Sequence, residues 1–461
     1  MLRLSAVRRL LQAGRIFVLL LLSFALTAQP AMAQSVLRDA ETEALFRDMA
    51  RPLVIAAGLQ PGNVDIVLLG DSEINAFVAG GQTVYINSGL IDAADNINEV
   101  QGVVAHEIGH ITGGHVVRFS EGAKAATGIT LLSLLIGAAA MAAGAGDAGM
   151  AAMMAGQQAA MGKFLAFTRA QEGSADAAGA SFLRKANISG KGILSFFGKL
   201  RTQEYRLSSS YADIDPYAQT HPLTADRITT LQGDLQASPS WNTPTDPALE
   251  ARFQRIKGKL TGYMNDPQQT LRKYPESNQS IPALYARAYA WHKSAYPDKA
   301  LADADKLIAL QPHDPYFLEL KGQILLESGK PKEALAPLRE AVARSQNQPL
   351  IAATFGHALI ATEDPANFNE ARQVLKIAVA RDRDNPFAWY QLGVVYDHDG
   401  DKARAALATA ERYNLEGRAR LALGSAEVAM HGIPQGTPDY LRAQDIAMVS
   451  RTAVQEEKKK R

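Results

Sequence analysis

The segment His106-Glu107-Ile108-Gly109-His110 constrains the fold more than any other part of this sequence. It lies in an apolar run, and Asn96, three residues before a glutamate, has the spacing of a helix N-terminal capping box. Residues four apart share one face of an α-helix, so His106 and His110 can direct two imidazole nitrogens at one metal ion. The sequence therefore predicts a helix, from about residue 97 to 117, that carries part of a metal site.

The donor types in this segment favour zinc. Two neutral imidazoles suit Zn²⁺, which in catalytic sites takes three protein ligands and leaves its fourth position to water. Glu107 lies beside the two histidines, where its carboxylate can take a proton from that water, a combination typical of zinc-dependent peptidases. The alternative is a chance match, and we favour the metal site because the chain has only nine histidines.

Composition sets the broad limits. A chain of 461 residues exceeds a usual single domain, so we expect two folded domains. The net charge of +1 gives no global electrostatic reason to expect a nucleic-acid partner. The sequence contains no cysteine, which excludes both a disulfide framework and zinc held by thiolates.

Residues 1–33 have the layout of a secretory signal peptide. Four arginines precede an apolar run from Ile16 to Leu26, and Ala31-Met32-Ala33 offers small residues for cleavage before Gln34. The competing interpretation is a membrane anchor, but about 11 apolar residues fall short of the ~20 that a spanning helix needs. We therefore expect a mature protein in a periplasmic or other secreted space.

A small β-sheet is predicted after a first helix. Residues 64–69 and 83–87 are rich in β-branched and aromatic residues, and two glycines give a turn signal before the second run. Zinc peptidases commonly hold an extended substrate against an edge strand, which makes Val84, Tyr85 and Ile86 candidates for substrate contact. An ordinary buried strand is the alternative for these three residues.

The stretch 125–161 is almost free of charge and rich in small and apolar residues. Two helices joined near Gly144-Ala145-Gly146-Asp147 fit it best. Each half is too short and too rich in small residues to favour a true membrane span. We expect a hairpin that packs on the protein or dips into a membrane surface.

Glu172 and Asp176 lie four residues apart on a predicted helix, 164–187, and so share one face. Glu172 can supply the third metal ligand, and Asp176 can accept the N–H of a ligand histidine and fix its tautomer. A solvated helix face is the alternative, which His106 and His110 make less favourable. The layout with a third histidine six residues after His110 fails, because that position holds a valine. A glutamate on a downstream helix is the gluzincin layout.

The C-terminal half has a repeated pattern. Pro282, Pro315, Pro349 and Pro386 recur at intervals of 33, 34 and 37 residues, each opening a pair of short amphipathic helices. This period is typical of tetratricopeptide repeats, which usually present a concave surface to another protein. We expect a proline-rich linker at 237–250, repeats at 251–448 and a charged tail at 449–461. A helical domain without a partner is the alternative.

Together the signal-peptide layout, the 106–110 segment, Glu172 with Asp176, the His221-Pro222 pair and the repeats resemble one family. It comprises the periplasmic, repeat-containing gluzincins of the β-barrel assembly-enhancing type, related to HtpX-like and CAAX-prenyl-protease-like membrane peptidases. The resemblance implies a mainly α fold with a small β-sheet: a gluzincin-type zinc peptidase domain at 34–236, then an α-helical tetratricopeptide-repeat solenoid. It implies one Zn²⁺ per chain.

The resemblance also implies individual roles. His106, His110 and Glu172 become the zinc ligands, Glu107 the general base and Asp176 the residue behind a ligand histidine. The implied activity is that of an endopeptidase degrading misfolded or stalled envelope proteins in the periplasm, with the repeats contacting the outer-membrane assembly machinery. The alternative is a periplasmic chaperone or assembly scaffold in which proteolysis is secondary.

The His221-Pro222 pair and the helix that follows it suggest roles for His221 and Arg227. Pro222 keeps His221 out of helical geometry, so His221 lies on a loop that can bring it to the zinc in place of water. A histidine that only hydrogen-bonds locally is the alternative. Arg227, one turn into the next helix, is expected to orient a carboxylate such as that of Asp176.

Overall fold

A computed structural model describes residues 35–142, 145–207 and 221–459. Leu37–Arg461 forms one compact unit. The predicted signal peptide, 1–33, and most of the loop expected before His221 lie outside the described residues. The described part is mainly helical with one small sheet, as the sequence predicts.

The sheet has four strands in the order β1-β2-β4-β3. Strand β2 runs parallel to β4, whereas β3 and β4 form an antiparallel hairpin. Gly80 and Gly81 make the hairpin turn with φ angles of 63° and 102°, a region that favours glycine. The strands are β1 (Val36–Leu37), β2 (Asp65–Leu69), β3 (Ala76–Ala79) and β4 (Thr83–Asn87).

The strand order corrects one expectation about the substrate. Val84, Tyr85 and Ile86 belong to β4, which is hydrogen-bonded to β2 on one side and β3 on the other. Val84 and Ile86 are fully buried. Strand β4 therefore has no free edge for an added strand, and the outer edge of the sheet on this side belongs to β3, which the sequence pattern did not reveal.

The N-terminal region surrounds this sheet with helices. Two of them differ from the prediction: the helix expected to end near residue 117 stops at Gly113, because Gly114 is left-handed with φ 63°. The helix expected at 164–187 is continuous with the second half of the apolar hairpin. The helices are α1 (Ala40–Ala56), α2 (Ser88–Ala93), α3 (Ile97–Gly113), α4 (His115–Ala142), α5 (Gly146–Lys185), α6 (Lys191–Leu207) and α7 (Ala225–Gln236).

Helix α3 lies at the centre of the first hydrophobic core. Every residue from Ile97 to His110 is buried, so this helix has no solvated face along most of its length. Apolar side chains from α1, β4, α6 and the helix Pro247–Met264 surround it. They include Leu45, Ile86, Phe196, Phe197 and Phe253.

Helices of the repeat region open at Pro315, Pro349 and Pro386, as predicted, and Pro282 is the second residue of the helix that begins at Ile281. Proline suits the first helical turn, where no amide hydrogen bond is lost. A side chain at Gly322 would meet that of Leu338 at 2.4 Å, which explains a small residue within a helix pair. The helices are α8 (Pro247–Met264), α9 (Pro267–Lys273), α10 (Ile281–Lys293), α11 (Pro297–Leu310), α12 (Pro315–Glu327), α13 (Pro331–Arg344), α14 (Pro349–Ala361), α15 (Pro365–Arg381), α16 (Pro386–His398), α17 (Lys402–Leu415), α18 (Ala419–Gly432) and α19 (Pro438–Lys459).

Helix α8 joins the two regions. Its Phe253 and Ile256 are fully buried in the core around α3, although the helix lies in the part of the sequence assigned to linker and repeats. On its other side Arg255 binds Glu41 of α1 and donates to Asp314 at 2.7 Å, just before α12. The C-terminal segment expected as a charged tail is helical to Lys459.

Candidate metal centre

The start of α3 is fixed by its cap. The Asn96 side chain accepts the amide hydrogen of Glu99 at 3.1 Å, which satisfies one of the unpaired N–H groups at the helix start. The buried Glu99 carboxylate accepts the Asp95 amide at 2.8 Å and the Lys199 ammonium at 2.7 Å. These contacts anchor α3 to α6 before the histidines are reached.

Gly109, between the two histidines, allows α3 and α5 to touch. A Cβ atom at this position would lie 2.6 Å from the carbonyl oxygen of Ala175, a distance that real side chains do not adopt. On α5, a Cβ at Gly179 would lie 3.2 Å from the backbone of Ala105 and His106. The close approach of the two backbones brings Glu172 and Asp176 to the face of α3 that carries His106 and His110.

Four buried side chains then direct donor atoms at one point. The Nε2 atoms of His106 and His110 are 3.1 Å apart, and Glu172 oxygens lie 3.4 and 3.3 Å from them. Nδ1 of His221 lies 3.1 Å from both Glu172 oxygens and 3.4 Å from Nε2 of His106. All four donor atoms lie within 4.8 Å of one another.

These spacings fit a metal cation. A tetrahedral ion with bonds of ~2.0–2.1 Å has donor atoms about 3.3 Å apart, close to the separations found between the imidazoles and Glu172. The donors are nitrogen and carboxylate oxygen, the set used by zinc and similar divalent ions. The residues present therefore fit a bound metal.

Asp176 and Arg227 hold the donor cluster from behind. Oδ1 of Asp176 lies 2.9 Å from Nδ1 of His106, which directs the opposite nitrogen of that ring at the donor cluster. Arg227 donates to the same carboxylate through two nitrogens, at 2.7 and 2.9 Å. Sequence reasoning anticipated this pairing of Arg227 with Asp176.

Arg227 has two further contacts that the sequence did not suggest. One of its nitrogens lies 3.1 Å from a Glu172 oxygen and donates to the carbonyl of Pro222 at 2.8 Å. The guanidinium therefore fixes a ligand carboxylate and, through Pro222, the backbone beside His221. Thr224 caps the helix that carries Arg227, accepting its amide hydrogen at 3.3 Å.

Glu107 faces the same cluster from the adjacent position on α3. It is fully buried, and neither carboxylate oxygen accepts a hydrogen bond from the described residues. Nε2 of His221 lies 3.7 Å from its Oε1. A buried carboxylate without a fixed donor is free to accept a proton from a bound molecule, as a general base must.

The electrostatics of the cluster favour an added positive charge. Burial lowers the pKa of His106, but hydrogen bonding to Asp176 and Glu172 outweighs burial and raises the pKa to about 10. Burial lowers the pKa of His110 to about 3, which keeps that ring neutral. Burial also raises the pKa of Glu107. The raised pKa of His106 reflects the two carboxylates that hold its proton, and a bound cation would take the place of that proton.

His115 is a site residue that sequence reasoning missed. Its Nδ1 lies 2.9 Å from Nδ1 of His110, and the side chain is buried. The left-handed turn at Gly114 folds the chain back so that His115 reaches the preceding turn of α3. Gly113 leaves room for its ring, since a Cβ there would lie 2.3 Å from Nε2 of His115. The glycine pair before this histidine was the available signal.

The structure thus brings together His106, Glu107, His110 and Glu172, with Asp176, Arg227 and His221 around them. The candidate residues of β4 do not join them; β3, the strand at the sheet edge, packs against α3.

Comparison with known proteins agrees with this arrangement. The model of peptidase family M48 matches residues 36–234, and a tetratricopeptide-repeat model matches residues 293–349 and 365–420. The β-barrel assembly-enhancing protease of Yersinia pestis is 26% identical over 380 residues, covering 81% of this chain and 76% of that protein. Its namesake in Escherichia coli (strain K12) is 26% identical over 385 residues with the same coverage. Metalloprotease LoiP of Escherichia coli (strain K12) is 31% identical over 182 residues, 39% of this chain and 64% of that protein. Residues 36–234 are therefore a peptidase family M48 domain, and the chain is a metalloprotease that also carries tetratricopeptide repeats.

Proposed function

We propose that this metalloprotease is a zinc-dependent endopeptidase of the periplasm that degrades misfolded or stalled proteins during outer-membrane β-barrel assembly. The observation that carries the chemistry is the buried cluster of His106, His110 and Glu172 with Glu107 beside it. The names of the relatives support the assembly setting. The signal-peptide layout of residues 1–33 supports the location.

In this proposal His106, His110 and Glu172 hold one Zn²⁺. The bound ion supplies a Lewis acid for the scissile carbonyl and lowers the pKa of an attacking water. Asp176 holds His106 in the tautomer that a ligand needs, and Arg227 holds Asp176. Glu107 takes the proton of the attacking water and then delivers it to the leaving amine.

The sheet edge suggests how substrate is held. Strand β3, Ala76–Ala79, is hydrogen-bonded to β4 on one side and packs against α3. An extended polypeptide added along its outer edge would extend the sheet that packs on α3, the helix of His106 and His110, with main-chain hydrogen bonds providing affinity. An unfolded segment can offer such an extended backbone, which agrees with misfolded proteins as substrates.

The direct test is Glu107→Gln, which keeps the shape of the side chain and removes its ability to take a proton. We expect one zinc per chain in both proteins by elemental analysis, and loss of casein cleavage by a factor of at least 100 in the variant. The exposed Glu340→Gln is the matched control and should cleave like the wild type. Undiminished cleavage by the Glu107→Gln protein, or a wild type that binds no zinc, would refute the assignment.

A chaperone or assembly scaffold is the second candidate, because the repeats belong to a class of protein-interaction modules. Complementation separates the two functions. If proteolysis is the function, Glu107→Gln should fail to rescue the outer-membrane defects of a strain lacking the protein. Full rescue by that variant would favour the scaffold.

A further inference from the structure

The hairpin of α4 and α5 exposes an apolar surface that the described chain does not cover. Helix α4 is long and apolar enough to cross a membrane. Nine large apolar side chains on the hairpin are each 40–70% exposed: Leu131, Leu132, Leu134, Leu135, Ile136, Met141, Met150, Met154 and Met161. A continuous apolar surface of this kind on a soluble protein indicates a binding site.

The exposed apolar residues of α4 spread over about 200° of its circumference, and the remaining side, at Ser133 and Gly137, packs on α5. Residues 131, 132, 134, 135 and 136 are exposed and apolar, and successive positions turn by 100° around a helix. A protein partner that bound one face of α4 would leave its other apolar faces exposed to water. An apolar surface that covers every side of α4 apart from its contact with α5 instead suits surroundings that are apolar in all directions, such as lipid.

The two helices also pack as helices do in lipid. A Cβ atom at Gly156 would lie 1.9 Å from Cβ of Ser133, and one at Gly149 would lie 2.5 Å from the carbonyl oxygen of Gly137. Small residues let the two backbones approach closely, which replaces the hydrophobic effect as a source of helix association in a bilayer.

Three hydroxyl groups in the apolar section of α4 are hydrogen-bonded within the helix. Thr127 donates to the Ala123 carbonyl at 2.8 Å and Thr130 to the Ala126 carbonyl at 3.1 Å. Ser133 donates to the Thr130 carbonyl at 2.8 Å. These donors are satisfied within the helix, a requirement for polar groups in hydrocarbon.

Charged residues mark one end of the apolar section of the hairpin. No charged residue lies between Lys124 and Asp147, or between Asp147 and Lys163. Because Ser133 faces Gly156, the two lysines lie at the same end of the hairpin. We call the described segments 118–124 and 163–169 the collar. It contains four exposed basic residues, Arg118, Lys124, Lys163 and Arg169, and one exposed acidic residue, Glu121, so its own net charge is positive. It complements the anionic headgroups of a bilayer.

From these observations we infer that the apolar sections of α4 and α5, residues 125–142 and 145–161, insert together into an anionic phospholipid bilayer, with Lys124 and Lys163 at the headgroups. The charge-free part of α4, 18 residues, is about 27 Å long, against ~30 Å of hydrocarbon. Asp147 at the tip then lies near the opposite headgroups. Gln157 and Gln158 are exposed amides that oppose insertion, whereas nine large apolar side chains favour it. Glu172, nine residues beyond Lys163 on α5, places the metal centre about 13 Å from the collar along the helix axis.

Vesicle flotation tests the inference with protein produced from the full sequence. Wild-type protein should float with vesicles of phosphatidylethanolamine and phosphatidylglycerol, and less with phosphatidylcholine alone. The double variant Leu132→Glu with Leu135→Glu should reduce the bound fraction at least fivefold. The matched control, Met448→Glu with Val449→Glu, places the same charges on exposed apolar positions of α19 and should float like the wild type. All three proteins share the same N-terminus, so that segment cannot explain a difference.

A spectroscopic readout does not depend on how the charged variant folds. Because the chain contains no cysteine, a single Leu135→Cys or Val449→Cys can carry an environment-sensitive dye without background. With anionic vesicles, the dye at 135 should shift to shorter wavelength and be quenched by quenchers attached to lipid tails, whereas the dye at 449 should not. An unquenched dye at 135 on vesicle-bound protein would overturn the inference. So would a lipid-independent dimer that only the Leu132 and Leu135 substitutions abolish, because the occupant would then be a second copy.

Discussion

Nδ1 of His115 lies 2.9 Å from Nδ1 of His110, so the two imidazoles share a hydrogen bond behind the metal centre. In the proposed site Nδ1 of His110 carries the proton of this hydrogen bond, and Nε2 of His110 is left unprotonated to bind the metal. We expect His115→Ala to lower zinc affinity by roughly 10- to 100-fold, the usual effect of losing a partner behind a ligand histidine. Competition with a chelator measures it.

The control for this prediction is His313→Ala, which removes an exposed imidazole in the repeat region. His115→Gln should restore part of the affinity, because its amide oxygen can accept the same hydrogen. Equal zinc affinity in His115→Ala and the wild type would show that the contact does not position His110.

Gly109 decides how closely α3 and α5 approach. Gly109→Ala places a Cβ 2.6 Å from the Ala175 carbonyl oxygen, and backbone cannot move aside as a side chain can. We expect a loss of about 1–3 kcal/mol in the free energy of unfolding, typical of overpacking, measured by urea denaturation. Gly198→Ala on α6 meets no atom within 4 Å and should be stabilising by about 0.5–1 kcal/mol. A neutral Gly109→Ala would contradict the close approach.

His221 is proposed to cover the metal until substrate displaces it. Its Nδ1 lies 3.4 Å from Nε2 of His106 and 3.1 Å from a Glu172 oxygen. The neighbouring Glu107 is fully buried. We expect His221→Ala to retain zinc and to cleave casein several-fold faster than the wild type, because the covered position opens to water. Progress curves at equal zinc content measure the change. Equal or slower cleavage would exclude the covering role and leave His221 as a local hydrogen-bond partner.

Arg227 contacts Asp176, Glu172 and the Pro222 carbonyl from one guanidinium. A lysine keeps the charge but cannot reach three groups in a planar fork. Arg227→Lys should therefore lower zinc affinity, and the loss of fixed hydrogen bonds to buried carboxylates should cost about 1.5–3 kcal/mol of folding free energy. Arg339→Lys, at an exposed pair with Glu370, should cost less than about 1 kcal/mol. Similar costs for the two substitutions would show that the buried network contributes little.

Glu319 in α12 should give the protein a pH-dependent stability unrelated to the metal. Burial raises its pKa to about 8, more than the nearby Lys259 lowers it. The folded chain then binds this proton more tightly than the unfolded chain, so the stability is present below pH ~4.5 and is lost as pH rises towards 8. The difference in unfolding free energy between wild type and Glu319→Gln should change by up to about 1.4 kcal/mol per pH unit in this window. A difference for Glu319→Gln that stays constant between pH 4.5 and 8 would refute the prediction.

Much of the site could be predicted because it depends on spacing within single helices. His106 and His110 share a face because they lie four residues apart on a helix that Asn96 caps, and the repeat helices open at their prolines. Those features arise from local backbone geometry, which any chain with this pattern must follow. Glu172 with Asp176 was predicted as a pair by the same argument.

The tertiary structure decided what lies between these local elements. Whether Val84–Ile86 forms an edge depended on β3, a strand too short to stand out in the pattern. The reach of Arg227 to Glu172, and the inclusion of Phe253 in the peptidase core, join residues more than fifty positions apart. The sequence by itself determined the donor atoms and the helices that carry them. Only the packing of α3 on α5, where Gly109 admits the Ala175 backbone, decided that the donors meet at one point, because contacts between distant segments are set by side-chain volumes in the core rather than by period.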